Sequence, residues 1–419
     1  MINKKHNDRF IPSRVNSRLH EHPLETINEN IYNNRSDYIN ICNVEGMLND
    51  KILAYYSGNH YTNDNFSFIH TNNTKETKVL LKCNRPYQVL DAPNLSTDYY
   101  NNLFSCSLNN MVTIPLANKV YLYDWNKMKK QTHTIDCYFE ITNTSFSPDN
   151  TNILVSTDVN YKLELCDINY SRKRRTLSGG ISNKGYVCVS DWKTHKVFAC
   201  GHKRGSISIH DIRCSNNLKS ESKTHSSTVC GLKYCPNGKY IASGGNDDKV
   251  MIWDTCYMDK PIHILRSHKA GVRAIAWNHM KSYELLTGGG TNDHNIKLWN
   301  LNKDINEQNI KNVDATEQVT NLYWSCDSKE IVSTHGFTRN CVKIWNSKDF
   351  TTIKNLPNCK KRIINSVMNI EKTKLITDSS VASDETISFW NIFSHTQNNT
   401  INNISNLNCG KYIGYVTIR

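Results

Sequence analysis

The sequence lacks the features of a membrane or secreted protein. No apolar run approaches the roughly 18 residues that a membrane-spanning helix needs. The first ten residues, MINKKHNDRF, contain no apolar core of the kind that a secretory signal requires. We therefore expect a protein of the nucleus and cytoplasm that has no membrane partner.

Metal-binding and nucleotide-binding patterns are missing as well. The 15 cysteines are odd in number and scattered, and no two of them form a CxxC pair. This usage argues against a structural zinc site and for reduced thiols. The sequence also contains no phosphate-binding loop and no cluster of metal ligands. We expect neither a metal nor a cofactor.

Positive charge, in contrast, is abundant. The formal net charge is +13, and four consecutive basic residues occupy 172–175 (RKRR). Such a balance is compatible with a nucleic-acid partner. The basic cluster falls between two of the repeats described below, where we expect a solvated loop, so nucleic acid is not the partner that we expect. A generic interaction scaffold with a basic, RNA-binding surface is the alternative.

One stretch, residues 225–254, has the pattern of a complete structural unit. Two apolar runs flank a Pro-Asn-Gly turn at 236–238, and a Gly-Gly-Asn-Asp-Asp segment at 244–248 indicates a hairpin loop. A third apolar run ends in Trp253-Asp254. A sheet of this size cannot bury both of its faces alone, so the unit predicts neighbours of its own kind.

Six other segments resemble the end of this unit. In each, one anchor residue precedes an Asp or Asn, and subtraction of the residue numbers gives spacings of about 43 to 46 residues, close to the period of WD-repeat blades. The seven anchors are Tyr123, Cys166, His210, Trp253, Trp299, Trp345 and Trp390. The sequence therefore predicts an all-β fold, a seven-bladed WD-repeat β-propeller.

Composition divides the chain into three parts. Residues 1–84 are polar, which predicts a disordered docking tail, residues 85–393 contain the repeats, and residues 394–419 form a second, polar tail. The seventh repeat ends one strand short, near Trp390. We expect the strand-like residues 87–92 to close the ring, and this closure predicts that Asp91 lies near Asp384-Glu385.

Several short motifs carry a resemblance to a known family. DRFIPSR at 8–14, KIL at 51–53, VLDAP at 89–93 and a terminal Ile418-Arg419 occur in that order, and the ASGGNDD and LLTGGGTNDHNIKLWN segments are similar to the family's blades. The chain resembles the Fizzy/Fizzy-related activators of the anaphase-promoting complex, a multi-subunit ubiquitin ligase. Its motifs do not decide between the two branches of that family.

The resemblance implies an adaptor and not an enzyme. The propeller would bind degradation signals (degrons) on substrates such as cyclins and securin-like proteins, and the tails would dock on TPR-repeat subunits of the ligase. Residues 78–81 (KVLL) are similar to a motif that binds spindle-checkpoint proteins. Two weak docking contacts on one molecule bind jointly through effective concentration. The docking residues implied are Asp8, Arg9, Phe10, Ile11, Pro12, Arg14, Lys51, Ile52, Leu53, Ile418 and Arg419.

One implied site would bind the destruction box, an Arg-x-x-Leu peptide, between the first and last blades. The carboxylates of Asp91 and Glu385 would bind the Arg through charge-assisted hydrogen bonds. Leu90, Ile114 and Tyr123 would form the pocket for the Leu, and Tyr123 stands where the family has Trp. The alternative is that Asp91 caps a turn before a proline and Glu385 is a solvated hairpin residue.

A second implied site would bind the KEN box on the top face of the propeller. Its amide, hydroxyl and guanidinium groups suit a peptide that offers Lys, Glu and Asn side chains, and Arg362 would pair with the Glu. The alternative for the loop Asn and Thr residues is that they only satisfy hairpin backbones. The residues implied are Asn246, Asp248, Thr291, Gln318 and Arg362.

A hydrolase-like set, His225, Ser243, Asp247 and Trp253, has a different explanation. Its spacing matches the hydrogen-bond network that braces WD-repeat blades, no GxSxG elbow surrounds the serine, and a similar pattern recurs near His268. We interpret the set as structural. A catalytic propeller is the third hypothesis, after the ligase activator and the generic scaffold, because the fold alone does not select a function.

Overall fold

A computed structural model of the protein describes residues 85–126, 131–158, 162–168, 170, 172–178, 185–303, 308–357, 362–379 and 385–393. Within these ranges every regular element is a β-strand, and the strands form seven four-stranded sheets. Neighbouring strands within the sheets run antiparallel. The prediction of an all-β, seven-bladed propeller is confirmed.

Each blade contains four strands in sequence order, apart from the last blade, which also takes β1. Blade 1 contains β2 Ser105–Cys106, β3 Met111–Leu116, β4 Lys119–Asp124 and β5 Gln131–Asp136. Blade 2 contains β6 Ile141–Phe146, β7 Asn152–Thr157, β8 Lys162–Asp167 and β9 Arg172–Ser178. Blade 3 contains β10 Val187–Trp192, β11 Val197–His202, β12 Ser206–Asp211 and β13 Leu218–Lys223.

Blades 4 to 7 continue the same order around the ring. Blade 4 contains β14 Val229–Tyr234, β15 Tyr240–Gly245, β16 Val250–Asp254 and β17 His263–Leu265. Blade 5 contains β18 Val272–Trp277, β19 Glu284–Gly289, β20 Asn295–Asn300 and β21 Asn309–Asp314. Blade 6 contains β22 Gln318–Trp324, β23 Glu330–Gly336, β24 Cys341–Asn346 and β25 Thr352–Pro357. Blade 7 contains β26 Ser366–Met368, β27 Lys374–Ser379, β28 Thr386–Asn391 and β1 Gln88–Asp91.

The anchor residues of the repeat occupy equivalent places in the blades. Each lies in the third strand of its blade and is buried, including the atypical anchors Tyr123, Cys166 and His210. The first strands of neighbouring blades contact each other, as β10 contacts β6 and β14, so these strands line the centre of the ring. The core therefore lies between adjacent blades, and each blade depends on its neighbours for burial.

The ring closes through the strand that was predicted to close it. β1 pairs with β28, and Asp91 lies opposite Thr386 in the ladder. The amide of Ala92 donates a 2.8 Å hydrogen bond to the carbonyl of Glu385. Asp91 and Glu385 thus occupy neighbouring positions at one end of the ladder, as predicted, whereas Asp384 lies outside the described residues.

Blade 4 contains the predicted bracing network. His225 Nδ1 donates to Asp247 Oδ1 at 2.8 Å, while His225 Nε2 and Trp253 Nε1 lie 2.8 Å and 2.9 Å from Ser243 Oγ. Burial tends to raise the pKa of Asp247, but the hydrogen bond and charge of His225, the Ser226 amide and the charge of Lys249 together outweigh it and leave that pKa below its usual value. The same arrangement recurs in blade 5, where His268 bonds Asp293 and Thr287, and Trp299 donates to Thr287.

Two expectations about local structure are wrong. Gly244 and Gly245 belong to β15 and not to a hairpin loop. A Cβ on Gly245 would lie 2.3 Å from Asp247 Oδ1 and 2.5 Å from His225 Nδ1, so the glycine is needed for the close approach of the bracing network. The basic residues 172–175 form the beginning of β9, the outermost strand of blade 2, and are not a loop. Lys and Arg on such an edge discourage pairing with another sheet.

Three further observations concern the thiols, the possible metal ligands and the possible membrane-spanning helices of the described residues. All 11 cysteines in the described ranges carry free thiols, and most are buried. No group of three or more His, Cys, Asp or Glu in the described part of the chain is arranged to hold a metal ion. No helix long and apolar enough to cross a membrane occurs among the residues that the structure describes.

Candidate functional site

The seam, where blade 7 packs against blade 1, brings two acidic side chains to the surface. Asp91 ends β1 and is exposed, and Glu385 precedes β28 and is half-buried. Glu385 Oε2 accepts a hydrogen bond from the amide of Leu95 at 3.3 Å, which ties the carboxylate to the segment that follows β1. Each acid comes from a different end of the propeller sequence, so the site exists only when the ring is closed.

Apolar side chains lie beside these acids. Leu90, Ile114 and Tyr123 belong to one cluster that also includes Phe389 of β28. The rings of Tyr123 and Phe389 lie 5.3 Å apart, and the Tyr123 hydroxyl lies 3.2 Å from Gln88 Oε1, to which it donates. Ile114 and Tyr123 are buried and Leu90 is half-buried, so Leu90 is the member of the predicted pocket that a ligand reaches most easily. Leu90, Ile114 and Tyr123 thus share one cluster, and Leu90 precedes Asp91 in β1.

The segment after β1 runs into the centre of the ring. The Asn102 amide donates to the Cys188 carbonyl in β10 at 3.0 Å, and Asn102 Nδ2 donates to the Cys230 carbonyl in β14, also at 3.0 Å. Arg273 of β18 is buried, and one of its terminal nitrogens donates to the Asn101 carbonyl at 2.8 Å. Because β10, β14 and β18 line the ring's centre, residues 99–103 lie in the central channel.

The residues implied for the KEN box surround the same face. Gln318 begins β22, and its Oε1 accepts a hydrogen bond from Arg362 at 2.6 Å. Asn246, Asp248 and Thr291 lie in the turns that join β15 to β16 and β19 to β20. Burial raises the pKa of Asp248, and the neighbouring charges of Asp247 and Asp293 raise it further. Of these five described residues, only Gln318 and Arg362 contact each other directly.

Sequence reasoning missed three residues around Arg362. The guanidinium lies 5.2 Å from the centre of the Tyr99 ring and 5.0 Å from that of Phe337, and Arg273 approaches Tyr99 at 5.3 Å. Phe337 is exposed and has a positive φ of 101°, a conformation that side chains rarely adopt. The adjacent tyrosines at 99 and 100 were the only local signal, since none of these residues belongs to the periodic pattern.

Arg362 keeps capacity to bind a ligand. Its Nε is buried and has no hydrogen-bond partner among the described residues. Burial lowers the pKa of Arg362, and the adjacent Tyr99 opposes that shift. A buried donor without a partner carries a free-energy cost that an acceptor from a ligand would remove.

The bracing network of blade 4 offers no such access. Ser243 is fully buried, and its hydroxyl is already occupied by His225 and Trp253. A nucleophile needs an exposed oxygen and a site for substrate next to it. These contacts support a structural role. The seam and the channel present carboxylates, a guanidinium and apolar side chains, and these are groups that can bind the side chains of a peptide.

The predicted docking residues lie outside the described residues. This applies to Asp8–Arg14, Lys51–Leu53 and Ile418–Arg419, and also to residues 78–81. Their roles stay predictions.

Comparison with known proteins places the chain in a family. The model of the CDC20/Fizzy WD40 domain matches residues 90–390. The chain is 33% identical to WD repeat-containing protein slp1 of Schizosaccharomyces pombe, with 92% of this chain and 78% of slp1 covered. It is 32% identical to the anaphase-promoting complex subunit cdc20 of Dictyostelium discoideum, with 74% of this chain and 60% of that protein covered.

A solved structure agrees with these relatives. A chain in a crystal structure of the mitotic checkpoint complex superposes with a TM-score of 0.69 at 33% identity, covering 75% of this chain and 94% of that chain. Among three curated relatives, the chain spans from 53% to 78% of their length. The match of the family model over most of the propeller and these identities agree with the motifs in the sequence: the chain belongs to the CDC20/Fizzy WD40 family.

Proposed function

We propose that this protein is a substrate-recruiting activator of the anaphase-promoting complex, and that it acts in the nucleus and cytoplasm. The observation that carries the proposal is the seam, where Asp91 and Glu385 lie beside the apolar cluster of Leu90, Ile114 and Tyr123. Two carboxylates next to an apolar pocket match the Arg and Leu of a destruction box in both charge and polarity. The adaptor itself needs no catalytic group, because the ligase would supply the chemistry.

The central channel supplies the second half of the proposal. Arg362, held by Gln318 and flanked by two aromatic rings, would bind the Glu of a KEN box. Asn246, Asp248 and Thr291 would bind its Lys and Asn. Cyclins and securin-like proteins are the substrates that this pair of sites would recruit, and spindle-checkpoint proteins would be partners through the same face or through residues 78–81.

Relatives support the docking half of the proposal. The Dictyostelium relative is named as a subunit of the anaphase-promoting complex, and the similar solved chain comes from the mitotic checkpoint complex. The match to slp1 covers 92% of this chain and so extends beyond the propeller. We propose that Arg9 and its neighbours in 8–14, Lys51–Leu53 and Ile418–Arg419 dock on TPR-repeat subunits.

The test is a pulldown with two readouts, the amount of ligase and the amount of a destruction-box peptide. Arg9→Ala combined with deletion of Ile418–Arg419 should lose the ligase and keep the peptide. Asp91→Asn combined with Glu385→Gln should keep the ligase and weaken the peptide by about tenfold or more, because hydrogen bonds to charged groups contribute about 1.5–3 kcal/mol.

A carboxylate elsewhere provides the matched control. Asp259 is exposed in the turn before β17 of blade 4, and Asp259→Asn should change neither readout. If the wild type captures no ligase, the proposed docking on the ligase is wrong. If the seam variant binds the peptide as well as Asp259→Asn does, the proposed peptide site at the seam is wrong.

A further inference from the structure

A groove lies on the top face of the seam, next to the carboxylate of Glu385. It encloses about 560 Å³ and presents two adjacent aromatic side chains, Tyr138 at 86% exposure and Phe139 at 37%. We call it the seam groove; it is lined by Asn94, Leu95, Ser96, Thr97, Ala117, Asn118, Tyr138, Phe139, Glu140 and Glu385. The two neighbouring aromatic rings give a ligand an apolar surface beside the carboxylate.

Backbone hydrogen bonds preform the walls of this groove. The amide of Ala117 donates to the Asn94 carbonyl at 3.1 Å, and the amide of Cys137 donates to the Asn118 carbonyl at 2.8 Å. The amide of Ile141 in turn donates to the Ala117 carbonyl at 3.1 Å. Residues 138–140 are therefore held at both ends against the turn between β3 and β4. A ligand that binds there would not have to order the backbone first.

The charge of the groove is opposite to that of the whole protein. The chain carries a formal net charge of +13. Among the described residues that line the seam groove, however, the charged ones are two glutamates, Glu140 and Glu385. Aromatic faces attract cations through the ring quadrupole, and carboxylates attract them by charge. This combination selects a basic side chain as the occupant.

The position of the groove decides which part of a peptide reaches it. Along β1 the order is Leu90, then Asp91, and the chain then continues past Glu385 to Asn94 and Leu95 in the groove. The apolar cluster that would take the Leu of an Arg-x-x-Leu peptide lies on the β1 side of the acids, and the seam groove lies on the other side. A peptide whose Arg reaches Glu385 therefore directs its preceding residues into the groove.

We propose that the seam groove binds a second basic residue of the degron, located within the four residues before the Arg. Its cationic group would stack on Tyr138 or Phe139 and pair with Glu140. This inference rests on the proposed function, because it extends the same peptide beyond the Asp91–Glu385 pair. The groove would make this protein prefer destruction boxes that have basic flanks over those that do not.

Peptide binding measured by fluorescence anisotropy tests the proposal with the full-length protein. A core peptide has alanine at the four positions before Arg-x-x-Leu, and four further peptides each place one arginine at one of these positions. We expect at least one arginine-extended peptide to bind about threefold to tenfold more tightly than the core peptide. A glutamate at that position should weaken binding.

Variants of the groove separate its contribution from that of the core site. Tyr138→Ala combined with Phe139→Ala, and Glu140→Gln alone, should remove the gain from the extra arginine and leave the core peptide's affinity unchanged. Tyr257→Ala, which removes an aromatic side chain of 76% exposure in blade 4, is the matched control and should leave the gain intact.

Three contrary results have different meanings. If the core peptide binds and depends on Asp91 and Glu385, but no added arginine improves its affinity, the groove proposal is wrong and the proposed function stands. If the core peptide does not bind, or its binding ignores Asp91 and Glu385, the proposed function of the seam is wrong. A gain that survives the Tyr138/Phe139 variant and Glu140→Gln would place the second basic residue elsewhere and overturn the groove assignment.

Discussion

Blade 4 and the seam are both built from four-stranded sheets of the same kind. Their polar groups differ, because those of blade 4 bond to one another and those of the seam face the surface. In blade 4, His225, Ser243, Asp247 and Trp253 bond to one another, and the serine and tryptophan are fully buried. At the seam, Asp91 is exposed, and the carboxylate of Glu385 accepts one long hydrogen bond from the described residues, that of the Leu95 amide. Satisfied polar groups stabilise a fold, whereas those that remain exposed at a preformed surface are available to a ligand.

The origin of the strands explains this difference. Blade 4 is continuous in sequence, so its bracing residues are at most 28 residues apart (253 − 225) and can be selected together as a unit. The seam combines β1 from one end of the propeller with β28 from the other. Its binding groups are therefore assembled by ring closure, and binding there would also favour the closed ring by mass action.

The strongest test of this comparison removes the centre of the brace. Trp253→Ala deletes a fully buried side chain together with its hydrogen bond to Ser243. We expect the free energy of unfolding to fall by about 3–5 kcal/mol, as large-to-small substitutions in cores do. Urea denaturation followed by circular dichroism measures the change.

The matched variant at the seam should change stability little and peptide binding strongly. Asp91→Asn combined with Glu385→Gln should lower the free energy of unfolding by less than about 1 kcal/mol, because surface substitutions away from packed features have small effects. Folded Trp253→Ala protein should still bind the destruction-box peptide. Equal losses of stability in the two variants would contradict the division between a structural blade and a functional seam.

An effect on peptide binding is expected in the channel, where one residue has both a structural contact and a donor without a partner in the described part of the chain. Arg362 is tied to Gln318 like a bracing residue, yet its Nε lacks a partner among the described residues and its guanidinium stacks on two rings. Arg362→Lys keeps the charge but loses the planar fork and the stacking. We expect a KEN-box peptide to bind about tenfold more weakly, while destruction-box binding stays unchanged. Unchanged KEN binding would leave Arg362 with a structural role only.

The sequence predicted those features that repeat or that are local. The anchors recur at a nearly constant spacing because every blade buries a side chain at the equivalent position of its third strand. Ring closure was predictable because the seventh repeat is one strand short. The bracing network was predictable because its residues lie within one blade. The residues implied for the destruction box came from motifs of the family; Leu90, Ile114 and Tyr123 share one cluster, and Asp91 and Glu385 lie at one end of the β1–β28 ladder.

Other features depend on contacts that no local pattern encodes. Tyr99 and Asn102 lie in the channel because blades 3, 4 and 5, distant in sequence from both residues, supply partners for them. The exposed side chains of Tyr138 and Phe139 lie in a turn, outside the repeating pattern of apolar residues in the strands. The basic residues of β9 resembled a loop because an outermost strand is solvated, so charge does not distinguish it from a loop there.

The smallest expected effect concerns Tyr123, a repeat anchor that also lies at the seam. It occupies the bracing position of blade 1, but its hydroxyl donates to Gln88 of β1 instead of to a buried serine, and burial raises its pKa. Tyr123→Phe keeps the ring against Phe389 and removes only this bond. Because a typical hydrogen bond contributes about 0.5–1.5 kcal/mol, we expect a loss of about 1 kcal/mol or less in stability and less than a threefold change in destruction-box affinity. Tyr123→Ala is the contrasting variant, since it would open the pocket for the Leu and should impair both measurements. If Tyr123→Phe abolished peptide binding with stability intact, the hydroxyl itself would contact the degron, and the apolar role assigned to Tyr123 would be wrong.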